Sequence, residues 1–277
     1  MTRFVGRTDA GARGGVNQDA MGWDEANYMG FVADGMGGHS AGEVASRLVS
    51  ETLLENAGTL ELEAAILLAH EKIFVGNEQS TDLGRMGSTV VAVQILEESC
   101  KAVWVGDSRA YLWRDKALSG LTRDHSALEE LRDSQGLTET QLRGHANRNV
   151  VTQSLGMSSP IPSVTTTPLR PGDWIMLCSD GLSAEMRDEE ITAVMQTAES
   201  IDQCADALVA AALAKGGHDN VTVVVIEYDG AGRRAPAGAV EDAGSGGDSR
   251  IIWISMLAGI GLALLVAGLW WWLGGSR

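Results

Sequence analysis

Four aspartates stand where apolar runs begin or end. Asp34 follows Phe31-Val32-Ala33, and Asp107 follows Ala102-Val103-Trp104-Val105-Gly106. Asp180 follows Trp174-Ile175-Met176-Leu177-Cys178-Ser179, and Asp219 stands just ahead of Val221-Thr222-Val223-Val224-Val225-Ile226. Runs of this kind read as core strands, whose ends converge in space. Carboxylates brought together repel one another and partly protonate. A hard divalent cation such as Mg²⁺ or Mn²⁺ removes that repulsion and prefers oxygen ligands. The pattern therefore points to a carboxylate-walled metal centre. An Asp-Gly pair also suits a simple tight turn, but four such positions in one domain favour the metal.

The elements that must position these residues alternate short β-rich runs with longer helical stretches. Helices are expected over 40–56, with Ser40 and Glu43 forming a capping box, over 60–78, 128–135, 139–143 and 188–196, and over 201–215. Strands are expected over 90–95, 101–105 and 109–113, with a Gly-Asp turn between the last two. Adjacent strands with helices grouped elsewhere indicate an α+β fold rather than a doubly wound parallel sheet.

Composition narrows the chemistry. The 277 residues carry a net charge of −16, which repels nucleic-acid phosphates and argues against a general nucleic-acid binder. A phosphate-handling site in such a chain needs metal ions to offset its own charge. Cys100, Cys178 and Cys204 are odd in number and far apart, as expected for small apolar residues in a reducing compartment. There is no Gly-Lys-Ser/Thr phosphate loop, no Asp-x-Asp after a strand, and no Cys-x5-Arg loop. Asp34-Gly35-Met36-Gly37-Gly38-His39 instead lets glycine backbone approach a ligand closely.

This segment, with Gly42-Glu43-Val44-Ala45-Ser46, resembles the bacterial branch of the metal-dependent type 2C serine/threonine protein phosphatases. Further segments agree in order: Asn17-Gln18-Asp19, Gly87-Ser88-Thr89, Gly106-Asp107-Ser108-Arg109, Asp124-His125-Ser126, Asn149-Val150-Val151-Thr152, Ser179-Asp180-Gly181 and His218-Asp219-Asn220-Val221-Thr222. The resemblance covers about residues 8–228. It implies a four-layer α/β/β/α sandwich of two antiparallel sheets flanked by helices. It also implies two ions of Mn²⁺ or Mg²⁺, with a possible third. Asp34 would bridge the two ions and the Gly35 carbonyl would bind one of them. Asp180 and Asp219 would complete the first, Asp107 with Asp180 would hold the third, and Asp19 would act through water on the metal. Two ions about 4 Å apart cancel charge and activate a water for in-line attack on a phosphomonoester, so no covalent nucleophile is required.

The chain departs from the family pattern in places. The family's phosphate-gripping arginine position holds Gly14, and Arg13 stands one residue earlier; a bulge at Gly14-Gly15 would bring it into place. Gln18 replaces a common Glu, and Ala184 stands where Asp is frequent, with Glu185 beside it. Met36 occupies the place of a proposed general-acid histidine, which leaves His39 as a substrate-proximal candidate. His125 and His218 read as structural, His70 and His145 as helix-surface residues, and Ser88 and Thr89 as packing or turn residues.

Residues 230–250 read as a flexible Gly-rich linker, and residues 251–273 carry no charged residue. As a helix that run spans about 34 Å, enough to cross a hydrocarbon core of roughly 30 Å. Trp253 lies near one end and Trp270, Trp271 and Trp272 near the other, as interfacial anchors do. Only 274–277 follow. The N-terminal stretch has no long apolar run of a secretory signal, and Arg233, Arg234 and Arg250 favour a cytoplasmic domain. Ser255, Gly259, Ala263 and Ala267 fall on one helix face suited to weak pairing. The expectation is a phosphatase domain over 1–229, single-pass at the cell membrane and facing the cytoplasm. It would hydrolyse phosphoserine and phosphothreonine in proteins, opposing a serine/threonine kinase. The alternatives are a phosphopeptide-binding scaffold on the same fold and a phosphatase of small phosphoesters.

Overall fold

The computed structural model describes residues 2–38, 40–79, 85–135, 150–157 and 159–233. The expected helix 139–143, His39, His145 and the linker, span and tail from 234 onward lie outside the described residues. Among the described residues no helix is long and apolar enough to cross a membrane.

Two antiparallel sheets form the middle of the domain. The first joins β1 (Arg3–Asp9), β11 (Val221–Glu227), β10 (Trp174–Cys178), β7 (Arg109–Arg114) and β8 (Ala117–Gly120) in that order. The second joins β2 (Asp19–Asp24), β3 (Met29–Gly37), β5 (Val90–Leu96), β6 (Ser99–Val105) and β9 (Ser163–Pro168), with the short β4 (Met86–Ser88) paired to the end of β3.

Strand parity sorts the side chains into three cores. On β11, Val221, Val223 and Val225 face a helix layer, while Val224 and Ile226 face the other sheet. On β5, Val90 and Ala92 pack under helices, while Val91, Val93 and Ile95 pack between the sheets. These central strands are apolar on both faces because each sheet is covered on both. Helices α1 (Ala41–Asn56) and α2 (Leu62–Gln79) cover the second sheet. Helices α5 (Asp188–Thr197) and α6 (Ile201–Lys215) cover the first, with α4 (Asp180–Glu185) following β10 directly. Helix α3 (Ala127–Gln135) follows the β8 strand by a short segment. The four-layer α+β sandwich expected from the sequence is the observed one. Trp104 and Trp113 are buried and Trp174 packs at the core margin, and all three cysteines are buried.

Three local expectations change. Ser40 precedes α1, but its side chain makes no capping hydrogen bond; the Ala41 N–H donates to the Gly38 carbonyl instead (3.1 Å). A side-chain cap does form on α6, where Ser200 accepts from the Gln203 N–H. His70 is more than a surface residue: its Nδ1 accepts from the Gly156 N–H (2.9 Å) and ties α2 to the 155–157 segment. The linker does not begin at 230. Ala231 O accepts from Thr2 Oγ1, and the Arg233 N–H donates to Ile95 O. The Arg233 guanidinium donates to Gly58 O. The chain stays docked through Arg233 because these backbone groups find partners at the sheet end.

Candidate metal centre

The site lies where both sheets end. Strand β2 pairs with β3 so that Asp19 and Asp34 are direct cross-strand partners. The Asp34 backbone is held on both sides: its N–H donates to Thr89 Oγ1 (3.1 Å), and its carbonyl accepts from the Thr89 N–H (2.8 Å) and Ser88 Oγ (3.1 Å). Thr89 in turn meets Ser108 Oγ at 2.7 Å, which links Asp34 to the β6–β7 turn carrying Asp107. Asp180 opens α4 at the end of β10, and Asp219 lies in the turn before β11, its carboxylate accepting the Asn220 N–H (2.8 Å).

Glycine makes the convergence possible. A Cβ on Gly35 would lie 2.0 Å from Gly42 O and 2.6 Å from Gln18 O. A Cβ on Gly181 would lie 2.0 Å from Asn220 O, so only glycine lets the Asp180 turn approach the Asp219 turn.

The electrostatics are those of mutually repelling acids. Asp34 is pushed well above the usual carboxylate range by the surrounding protein and by Asp19, Asp180 and Asp107. Asp107 rises to about 7, through desolvation first and then Asp180 and Asp124. Asp19 also rises to about 7, through desolvation and against the hydrogen bonds it accepts from Thr222 and Ser179. Asp180 is raised by desolvation and by Asp219. Each of these four keeps part of its surface open to solvent, as an entering ion requires. Arg109, the near cation, is committed to Asp124 in a bidentate pair (2.8 and 2.7 Å).

A donor set of recessed carboxylates, one glycine carbonyl and solvent fits hard divalent ions. Among the described residues, however, no three His, Cys, Asp or Glu side chains draw together into a closed cage.

A family model for protein phosphatase 2C matches residues 8–216. The chain belongs to the protein phosphatase 2C family. It is 36% identical over 269 residues to the serine/threonine protein phosphatase PstP of Mycobacterium tuberculosis, covering 93% of this chain and 51% of that protein. The chain thus spans about half the length of that relative. The crystal structure of the M. tuberculosis phosphatase PstP/Ppp superposes with a TM-score of 0.77 at 34% identity, over 82% of this chain and 99% of that one. The catalytic domain of PstP in complex with two manganese ions superposes with a TM-score of 0.73 at 34% identity, over 82% of this chain and 97% of that one.

Against the family pattern, the structure sharpens two departures. Gly14 and Gly15 both have positive φ (68° and 135°), the backbone region that glycine favours, so the turn before Asn17 does depart from regular strand. Arg13 stays exposed on it and makes no hydrogen bond or ion pair among the described residues. Glu185, beside Ala184, accepts from the His218 N–H (3.1 Å) and Nδ1 (2.6 Å); it is spent on a structural contact and does not replace the missing Asp. His125 is structural too. Its Nδ1 accepts from the Gly106 N–H, its Nε2 meets Ser163 Oγ, and its ring stacks on Trp104.

Sequence reasoning read Ser88 and Thr89 as packing or turn residues and did not single out Ser179 or Thr222. Ser88 and Thr89 are buried and fix Asp34, and Ser179 and Thr222 are buried and bond to Asp19 Oδ2 at 2.8 and 2.6 Å. A usable signal was present: each is a small hydroxyl residue inside an otherwise apolar strand end, where burial without a partner is costly.

Proposed function

We propose that this chain is a protein serine/threonine phosphatase that uses two Mn²⁺ or Mg²⁺ ions to hydrolyse phosphoserine and phosphothreonine in proteins. The observation that carries this reading is the pairing of Asp34 with Asp19 across β2 and β3, with Asp180 and Asp107 also near enough to raise it, a crowding of acids that bound cations would relieve. Asp34, the Gly35 carbonyl, Asp180 and Asp219 are the groups that would hold the two ions, and Asp107 with Asp180 a third. When bound, such ions offset the charge of a phosphomonoester and make water nucleophilic near neutral pH. Asp19, the cross-strand partner of Asp34, would orient that water. Arg13, exposed on its glycine turn, is the residue we assign to gripping substrate phosphate; its freedom from competing contacts supports that role. His39 stays a candidate for a substrate-proximal role.

The domain works as a membrane-tethered enzyme facing the cytoplasm, held by residues 251–273 and opposing a serine/threonine kinase at the same membrane. Support comes from the uncharged 23-residue run with tryptophans at both ends. A membrane tether raises the local concentration of substrates at the same membrane. Pairing of the spans into a weak dimer is a further part of the reading.

The test is phosphate release from a phosphothreonine peptide by the full chain with Mn²⁺, with Mg²⁺ and with chelator, beside Asp34→Asn and Asp180→Asn. Metal-dependent turnover lost in both variants is the expected result. Peptide binding without turnover would instead favour a scaffold, and faster turnover of small phosphoesters would move the substrate class. Fractionation of cells carrying the full chain or a chain ending at residue 235 checks the tether: only the former should pellet with membranes.

A further inference from the structure

Four residues at the metal end form a closed hydrogen-bonded circuit that spans both sheets. The Asn17 side-chain N–H donates to Thr8 Oγ1 (2.8 Å). Thr8 Oγ1 lies 2.7 Å from Thr222 Oγ1. Thr222 Oγ1 donates to Asp19 Oδ2 (2.6 Å). The Asp19 N–H returns to Asn17 Oδ1 (3.0 Å). Because an ionised carboxylate only accepts, the Thr222 hydrogen is committed to Asp19, so Thr8 must donate to Thr222 and take its own hydrogen bond from Asn17. Every hydrogen in the circuit then has one direction.

The circuit is stitched through the fold. Thr8 on β1 and Thr222 on β11 are direct cross-strand partners in the first sheet, while Asp19 begins β2 in the second. Ser179 adds a fifth group. It accepts the Thr222 N–H (3.0 Å) and donates to the same Asp19 Oδ2 (2.8 Å). Thr222 and Ser179 are wholly buried, so their hydroxyls have no water to turn toward. Both land on Oδ2, and Oδ1 receives neither.

We infer that Asn17, Thr8, Thr222 and Ser179 are positioning residues that lock the Asp19 carboxylate with Oδ2 occupied, reserving Oδ1 for the ligand shell of a bound divalent ion. This rests on the metal-centre reading above. Removal of a group that orients a metal's outer shell costs roughly 10- to 100-fold in affinity or activity.

The deciding variant is Thr222→Val in the full chain, which keeps the side-chain shape and removes both the donor to Asp19 and the acceptor for Thr8. Titration calorimetry with Mn²⁺ should show binding weakened by roughly tenfold or more. The kcat on a phosphothreonine peptide should fall with it, while the peptide KM holds. Thr222→Ser keeps the hydroxyl and should restore both values. Thr8→Val breaks the circuit one bond upstream and should give a smaller loss, about threefold, since it acts through an intact Thr222 donor. If Thr222→Val binds Mn²⁺ as tightly as the unmodified chain and shows only a lower Tm, the hydroxyls are structural and the inference is overturned. Should Thr222→Val not fold, Ser179→Ala and Thr8→Val carry the same reading, and unchanged Mn²⁺ affinity in both overturns it. An unmodified chain that binds Mn²⁺ through this circuit yet releases no phosphate would sink the phosphatase reading while leaving the circuit standing.

Discussion

Strand β10 carries an aspartate just outside each end, and the protein treats the two in opposite ways. Asp173, just ahead of the strand, is almost wholly buried. It is fully partnered: Arg114 meets it through two nitrogens (2.9 and 2.5 Å), and the Arg170 N–H donates to it (2.7 Å). Asp180, five residues of strand later, is raised by desolvation and by Asp219, and it in turn raises Asp34 and Asp107. The same residue type in one strand thus closes a structural contact at one end and keeps an unsettled charge at the other. The lesson is that burial alone does not mark a functional carboxylate; what matters is whether the fold also supplies its counter-charge.

The comparison can be broken most forcefully by exchanging charge for amide at the metal end. Asp34→Asn should lower phosphate release by at least about 10³-fold, equivalent to about 4 kcal/mol of lost transition-state stabilisation. Its metal-free Tm should stay level or rise, because one repelling charge is gone. A metal-free melt that falls sharply would show that Asp34 is structural after all.

Asp173→Ala should do the reverse. Leaving Arg114 without its partner should cost about 3 kcal/mol of stability, which for a domain of this size lowers Tm by roughly 6–12 °C. Activity per folded molecule should stay within about twofold. A loss of turnover at unchanged Tm would contradict the division between the two strand ends.

Metal addition sharpens the same contrast. At a hundredfold excess over its dissociation constant, Mn²⁺ should stabilise the protein by about 2.7 kcal/mol, seen as a rise in Tm that chelator reverses. Asp180→Asn should lose most of that rise and Asp173→Ala should keep it.

The same contrast can be read with pH. Asp19 and Asp107 titrate near 7 in the folded, metal-free protein, against an ordinary value of 3.8. Between those limits the folded state binds more protons than the unfolded state, so metal-free stability should fall as pH rises from about 4 to about 7. Thermal melts in chelator should show that slope, and saturating Mn²⁺ should flatten or reverse it. A metal-free protein that grows more stable over this interval would mean that the carboxylates do not repel as described.

Much of this was legible in the chain. The strands of the core announced themselves as apolar runs, and α6 spans the expected Ile201–Lys215, because its Ser cap, apolar face and terminal Gly216 agree with one another. The edge strands β1, β8 and β9 were not legible. Their residues alternate weakly or are polar, and β9 reads Ser-Val-Thr-Thr-Thr-Pro with only half its side chains shielded; only pairing with β6 makes it a strand. The aspartates of the site were legible because acids at strand ends are chemically conspicuous, whereas the hydroxyls that hold them were not, since a serine or threonine in a strand is ordinary by type.

Sequence by itself determined the donor chemistry, the strand and helix runs and the uncharged C-terminal segment, because these depend on residue type and local spacing. Tertiary structure alone decided which atoms meet. It set Asp19 opposite Asp34, closed the circuit of Asn17, Thr8, Thr222 and Asp19, spent Glu185 on His218, and carried the domain through Arg233. The physical reason is that hydrogen bonds and charge repulsion act over a few ångströms, and residues up to about two hundred positions apart reach that range only when two sheets pack.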